Sequence, residues 1–126
     1  MAIEVKASSI KGGEFLIKDT EASNIFIPEQ WNEEQLMIAQ SCTDFLAQEI
    51  WPNLEKIDAQ EEGFTVKLLD KAAELGLLGL NVPEQYGGFE KDFVTGMLAT
   101  EKLGAGYSFA VSISAHTGIG TLPILY

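Results

Sequence analysis

The sequence predicts an all-α fold, an up-and-down helical bundle of about four main helices preceded by an irregular N-terminal arm over residues 1–30. Three observations lead there. Apolar residues beyond position 30 recur at helical spacing. The segments that carry them are bounded by capping residues, glycines or prolines. No long alternating pattern of the kind a half-buried strand needs appears after residue 30. At 126 residues the chain is long enough for one modest domain, read here as residues 31–126.

The arm is marked by a turn at Gly12-Gly13 and by two short apolar patches, Phe15-Leu16-Ile17 and Phe26-Ile27, with weak strand character. Pro28 restricts the residue before it to an extended conformation, which suits the entry to a helix. Asn32 is a good N-cap, and Gln35 three places on completes a capping-box pattern, with Glu33 and Glu34 at the positive helix end. Leu36, Ala39, Thr43, Leu46 and Ile50 then form an inward stripe, widened by Ile38, Cys42 and Phe45. Pro52 predicts a kink or break. A second helix is expected over about 65–75, with Val66, Leu69, Ala72 and Ala73 inward and Gly76 as the stop. Pro83 and Gly87-Gly88 mark a loop. Asp92 caps a third helix that carries Phe93, Met97, Leu98 and Leu103. Gly104-Ala105-Gly106 breaks it, and Ser108 is expected to cap a fourth.

Charge narrows the function. There are 19 acidic side chains against 8 basic ones, a formal net charge of -11, and every basic residue is lysine. This balance repels a phosphate backbone and lacks the guanidinium forks that read bases, so nucleic acid is excluded as a partner. An anionic membrane surface is disfavoured for the same reason. Nine acids against Lys56 alone crowd residues 29–62, a pattern that reads as a solvated face or as a docking surface for a basic partner. With Cys42 as the only cysteine and His116 as the only histidine, neither an intrachain disulfide nor a four-ligand nitrogen–sulfur zinc site can form. No secretory signal pattern opens the chain, and a cytoplasmic, reducing location is expected.

After Lys102 no residue carries a formal charge through Tyr126. The glycines, Pro123 and the hydroxyl side chains of this stretch argue against a transmembrane segment and for a helix surrounded by protein. Ala110, Ser114 and Gly118 recur every fourth position and make a face of small side chains. Val111, Ala115 and Ile119 form the adjacent row. Such a face suits a neighbouring helix or a slender ligand such as an alkyl chain, and spacing does not choose between them. Gly118-Ile119-Gly120 lacks the third glycine and the preceding strand of a nucleotide-binding loop. His116 reads as a packed or capping residue, with no carboxylate nearby to make it a general base, and Cys42 as a small buried hydrophobe.

The segment from Gly76 to Gly88, Gly-Leu-Leu-Gly-Leu-Asn-Val-Pro-Glu-Gln-Tyr-Gly-Gly, resembles the loop between the second and third helices of acyl-CoA dehydrogenase N-terminal domains. Thr100-Glu101-Lys102-Leu103-Gly104 and the run from Ser114 to Leu125 are similar to the helices that follow in that family. The arm around Gly12-Gly13-Glu14-Phe15-Leu16 resembles the very-long-chain branch. The resemblance covers roughly residues 30–126 and implies the first of three domains, the others being a middle β-domain and a C-terminal helical domain. It implies an FAD-dependent enzyme that oxidises fatty acyl-CoA to trans-2-enoyl-CoA and passes electrons to an electron-transfer flavoprotein, as a homo-oligomer. The family's flavin contacts and its catalytic glutamate lie in parts this chain lacks, so it implies no catalytic or cofactor-binding residue here and no activity for the chain alone. It does imply one wall of the acyl pocket, at Val111, Ser112, Ala115 and Ile119. Medium-chain members carry a bulky polar residue where Ala115 stands, so a deeper, long-chain channel is expected. Rival readings are an acyl-CoA oxidase or flavin monooxygenase relative and a non-enzymatic acidic helical adaptor. Without its neighbours the uncharged helix should expose an apolar patch and drive self-association.

Overall fold

The structure, a computed structural model, describes Ile10 and residues 13–126; Gly12 of the expected Gly12-Gly13 turn lies outside the described residues. The chain divides into two compact units, one up to Asn32 and one from Glu33 to Tyr126. In the first, the described residues form three single 3₁₀ turns, Glu14–Leu16, Ala22–Asn24 and Pro28–Gln30, and no strand. Ile27 is extended, as the following proline requires, and its N–H donates to the Gln30 Oε1 at 3.2 Å.

The second unit is all α-helical. Helix α1 spans Glu33–Phe45, directly after Asn32, and continues through a π-helical segment, Leu46–Ile50, and a 3₁₀ turn, Trp51–Asn53, that holds Pro52. The proline ends regular geometry, as expected. A short α2, Leu54–Asp58, follows, then α3, Phe64–Glu74, and α4, Phe93–Leu103. The uncharged segment is α5, Ser108–Ser114, a π-helical stretch, Ala115–Gly120, and a last short helix α6, Leu122–Leu125.

The core is assembled from one stripe of each main helix. Cys42, Phe45, Leu46 and Ile50 of the first meet Leu68 and Ala72 of α3, Ala99 and Leu103 of α4, and Phe109 and Ile113 of α5. The Phe45 and Phe109 rings sit 5.8 Å apart at a 50° tilt, a favourable aromatic geometry. Trp51 Nε1–H donates to the Ala105 carbonyl at 3.1 Å, tying the end of the first helix to the turn between α4 and α5.

Several inward assignments shift by one residue. Leu36 is exposed, and Gln35 is buried in its place. α1 packs on α4, and the Gln35 amide donates there to the buried Thr95 hydroxyl at 3.2 Å. That polar contact turns the first helical turn away from its leucine. In α3, Val66 and Ala73 face out, while Leu68 joins Ala72 inside. In α4, Phe93 and Met97 are exposed, while Leu98, Ala99 and Leu103 are buried. Asp92 caps α4 as expected, its Oδ1 accepting from Thr95 N–H at 2.7 Å. Ser108 is not a cap. It is the first residue of α5, with Tyr107 in the cap position, and its hydroxyl faces Asp58 Oδ1 at 3.4 Å.

Candidate binding groove

The loop between α3 and α4 is built by close backbone approach. Gly76 ends α3 at φ +76°, a conformation that favours glycine, and the next N–H, of Leu77, returns to the Ala72 carbonyl at 2.9 Å. The chain then folds back on itself: Phe89, Lys91 and Glu90 N–H groups donate to the carbonyls of Gly79, Leu80 and Val82 at 3.0, 2.8 and 2.9 Å. Gly88 lies so close to the Val82 carbonyl that no β-carbon fits between them. Asn81 Nδ2 donates to the carbonyls of Lys91 and Asp92 at 3.1 and 3.2 Å and fastens the loop to the start of α4. Lys91 reaches Glu34 on α1 at 2.6 Å.

The opposite wall is the uncharged helix. Across its π-helical stretch, Thr121 N–H donates to the His116 carbonyl five residues back, at 3.0 Å, and Thr121 Oγ1 donates to the same oxygen at 2.7 Å. Gly120 allows this wide turn, since a side chain there would press on the Ala115 carbonyl. π-Helical insertions of this kind are frequent where a helix serves a site. Between loop and helix lies an open groove of about 500 Å³, lined by Val82 and Tyr86 on one side and by His116, Gly120, Thr121, Ile124 and Leu125 on the other. Among the described residues, no Asp, Glu or Lys lines it.

The four residues assigned to the acyl pocket sit together on one stretch of this helix but line none of the described cavities. Val111 and Ile119 are 70 % and 81 % exposed, Ala115 is exposed and Ser112 half-buried. They form a strip on the surface of the helix. His116 is not packed in the core; it is exposed and borders the groove. Cys42 is fully buried, and burial pushes its thiol up to about 11. Part of the acidic run is paired within the unit, Glu34 with Lys91 and Glu49 with Lys71, both at 2.6 Å. Among the described residues no cluster of metal-ligating side chains gathers. The groove residues of the loop, Val82 and Tyr86, and those of α6 escaped the sequence reading; for the helix side the i, i+4, i+8 row His116, Gly120, Ile124 was the signal available, and for the loop side there was none.

Composition alone does not dispose of a membrane span as the sequence reading expects. Ser108–Leu125 is 18 residues with mean hydropathy 1.2, long and apolar enough to cross a bilayer by those measures. Yet Phe109 and Ile113 on this helix are 0 % and 2 % exposed within the protein core, so one of its faces is already a packing surface.

The second unit is thus an all-α helical domain with an open groove between its glycine-pinned loop and its uncharged helix. The family "Acyl-CoA dehydrogenase, N-terminal domain" matches residues 32–126, and the chain belongs to it. A probable acyl-CoA dehydrogenase of Bacillus subtilis (strain 168) is 43% identical over 122 residues, 96% of this chain and 20% of that protein. The human mitochondrial short-chain specific acyl-CoA dehydrogenase is 33% identical over 94 residues, 74% of this chain and 23% of that protein. Among solved structures, an acyl-CoA dehydrogenase complexed with FAD from Bacillus anthracis superposes with a TM-score of 0.84 at 43% identity, covering 90% of this chain and 20% of that one. The chain therefore spans about a fifth of the length of these relatives.

The groove does not suit the FAD of that relative. Its lining offers hydroxyls and one imidazole but no lysine, and the sequence has no arginine to clamp a diphosphate.

Proposed function

We propose that the complete protein is an FAD-dependent acyl-CoA dehydrogenase that oxidises a fatty acyl-CoA to the trans-2-enoyl-CoA, and that this domain supplies one wall of its acyl pocket. The observation that carries the reading is the uncharged strip of Val111, Ala115 and Ile119, all exposed, with the half-buried Ser112, in a chain of this family. Uncovered apolar surface of this kind favours an alkyl chain, and the side chains that line it bind and dehydrate rather than react. The short side chain of Ala115 leaves depth for a long acyl chain, in keeping with the arm's likeness to the very-long-chain branch. The catalytic base and the flavin site belong to other parts of the complete protein, as do the contacts that make it a homo-oligomer and the surface that meets an electron-transfer flavoprotein. A free, buried Cys42 suits a cytoplasmic location.

The test uses the complete protein. Its visible spectrum should show bound flavin, and adding a long-chain acyl-CoA without oxygen should bleach that band. Slow return of colour on readmitting oxygen marks a dehydrogenase; rapid return marks an oxidase. A colourless protein would remove the enzyme reading and leave the acidic adaptor.

A further inference from the structure

The uncharged helix changes its winding in the middle of the strip Val111, Ala115, Ile119, and the change alters which residues share a face. An α-helix advances about 100° per residue. Wound that way throughout, Ile119 would stand about 80° round from Val111, almost directly above the half-buried Ser112. Leu122, nine residues beyond Ile113, would stand about half a turn away from it. Neither placement is found. Leu122 lines a small cavity against the α3–α4 loop together with Ile113 and Thr117, and Ile119 is exposed like Val111 and Ala115. The π-helical stretch Ala115–Gly120 accounts for both. Its hydrogen bonds reach five residues back, which puts more residues into each turn. A residue four places on then falls slightly short of a full turn instead of overshooting it.

The cause lies in the residues that follow. Pro123 has no N–H, and in a continuous α-helix its ring would meet the carbonyl of Ile119, four residues back. A wider turn before it removes that clash, and Pro123 stands instead at the start of α6, where a proline is tolerated. The wide turn is fastened at one oxygen. The His116 carbonyl accepts from both the N–H and the Oγ1 of Thr121, at 3.0 and 2.7 Å. In the regular part of the same helix, the Thr117 hydroxyl bonds the Ile113 carbonyl only four residues back. We propose that Thr121 is a positioning residue for chain-length selection: by holding the π turn it brings Ile119 into line with Val111 and Ala115 and keeps the strip straight. The inference rests on the reading of that strip as one wall of an acyl pocket. From Val111 to Ile119 the helix rises about 12 Å, so an acyl chain that runs the whole strip senses whether Ile119 is in line, and one that ends short of it does not.

The test uses the complete protein with long- and medium-chain thioesters. Equilibrium binding is measured with the trans-2-enoyl-CoAs, and kcat/KM with the saturated acyl-CoAs. Thr121→Val keeps the shape of the side chain and removes its bond to the His116 carbonyl. It should weaken binding of the long chain at least about fivefold more than that of the medium chain, with the loss in kcat/KM residing in KM. Thr121→Ser restores the hydroxyl and should return the ratio of the unmodified protein. Equal losses at both lengths, no loss, or a serine variant that behaves like the valine one overturns the proposal. If Thr121→Val does not fold, Gly120→Ala is read in the same way, because its β-carbon would lie 3.2 Å from the Ala115 carbonyl and disturb the same turn. Absence of flavin, or of bleaching by any acyl-CoA, in the unmodified protein sinks the enzyme reading, while the enoyl-CoA binding ratio still decides the role of Thr121.

Discussion

The side-chain amide of Asn81 occupies the space that a β-carbon at position 96 would need, so the loop rests directly on the backbone of α4 at Gly96. The amide is held there by its two bonds to the carbonyls of Lys91 and Asp92. A glycine in the middle of a helix is therefore the condition for the loop's position, and through Val82 and Tyr86 for the groove's wall.

This pairing predicts a change of sign. Gly96→Ala gains helix propensity of about 1 kcal/mol, but it displaces Asn81 from two hydrogen bonds of about 1 kcal/mol each. Urea unfolding should show a net loss of about 1 kcal/mol. In an Asn81→Ala background the same alanine should stabilise by up to about 1 kcal/mol. Equal effects in both backgrounds would show that the two residues are not coupled.

Tyr107 has φ 54° and ψ -130°, a conformation that glycine adopts freely and tyrosine does not, and its side chain is 67 % exposed. Tyr107→Gly should raise stability by about 1 kcal/mol, read as a higher melting temperature. A lower one would mean that the ring contributes more than its backbone costs.

Among the described residues, Gln35 and Thr95 are the two buried polar side chains, joined at 3.2 Å. Thr95→Val leaves the Gln35 amide without that acceptor and should cost about 1–3 kcal/mol. Combining it with Gln35→Leu should cost less than the sum of the two single changes, because both ends of the bond are then apolar.

Cys42 gives a pH dependence. Its folded-state pKa of about 11 lies above the ordinary 9.0 because burial disfavours the thiolate. Between those values the unfolded chain loses the proton while the folded one keeps it. Stability is thus undiminished below about pH 9 and falls as pH rises towards 11, by about 1.4 kcal/mol per pH unit across that interval. Cys42→Ala should remove this slope from unfolding measured across that range, at a separate cost in packing.

Ala115→Glu in the complete protein tests the proposed long-chain acyl pocket. Filling the strip with a charged side chain should lower kcat/KM for long acyl chains at least about tenfold more than for medium ones. Equal effects on both would remove the long-chain assignment.

Much of this was legible in the sequence. Local signals set the element boundaries: Asp92 caps α4, Gly76 stops α3, Pro52 breaks the first helix, and the likeness of the Gly76–Gly88 loop led to the family that residues 32–126 match. The rotation of each helix was less legible. Leu36 and Val66 fit an inward stripe by hydrophobicity and yet face out, because a stripe of apolar residues wider than the contact leaves its edge undecided.

By itself the sequence determined the helices, their stops, the family and the uncharged strip, since these follow from residue types at fixed spacing along one segment. The tertiary structure decided what no single segment contains: that Gln35 reaches Thr95 sixty residues on, that Asn81 needs Gly96, and that a loop and a late helix enclose a groove around His116. Those contacts join residues far apart in the chain, so they depend on how the helices pack against one another, and packing is set by all the side chains at once.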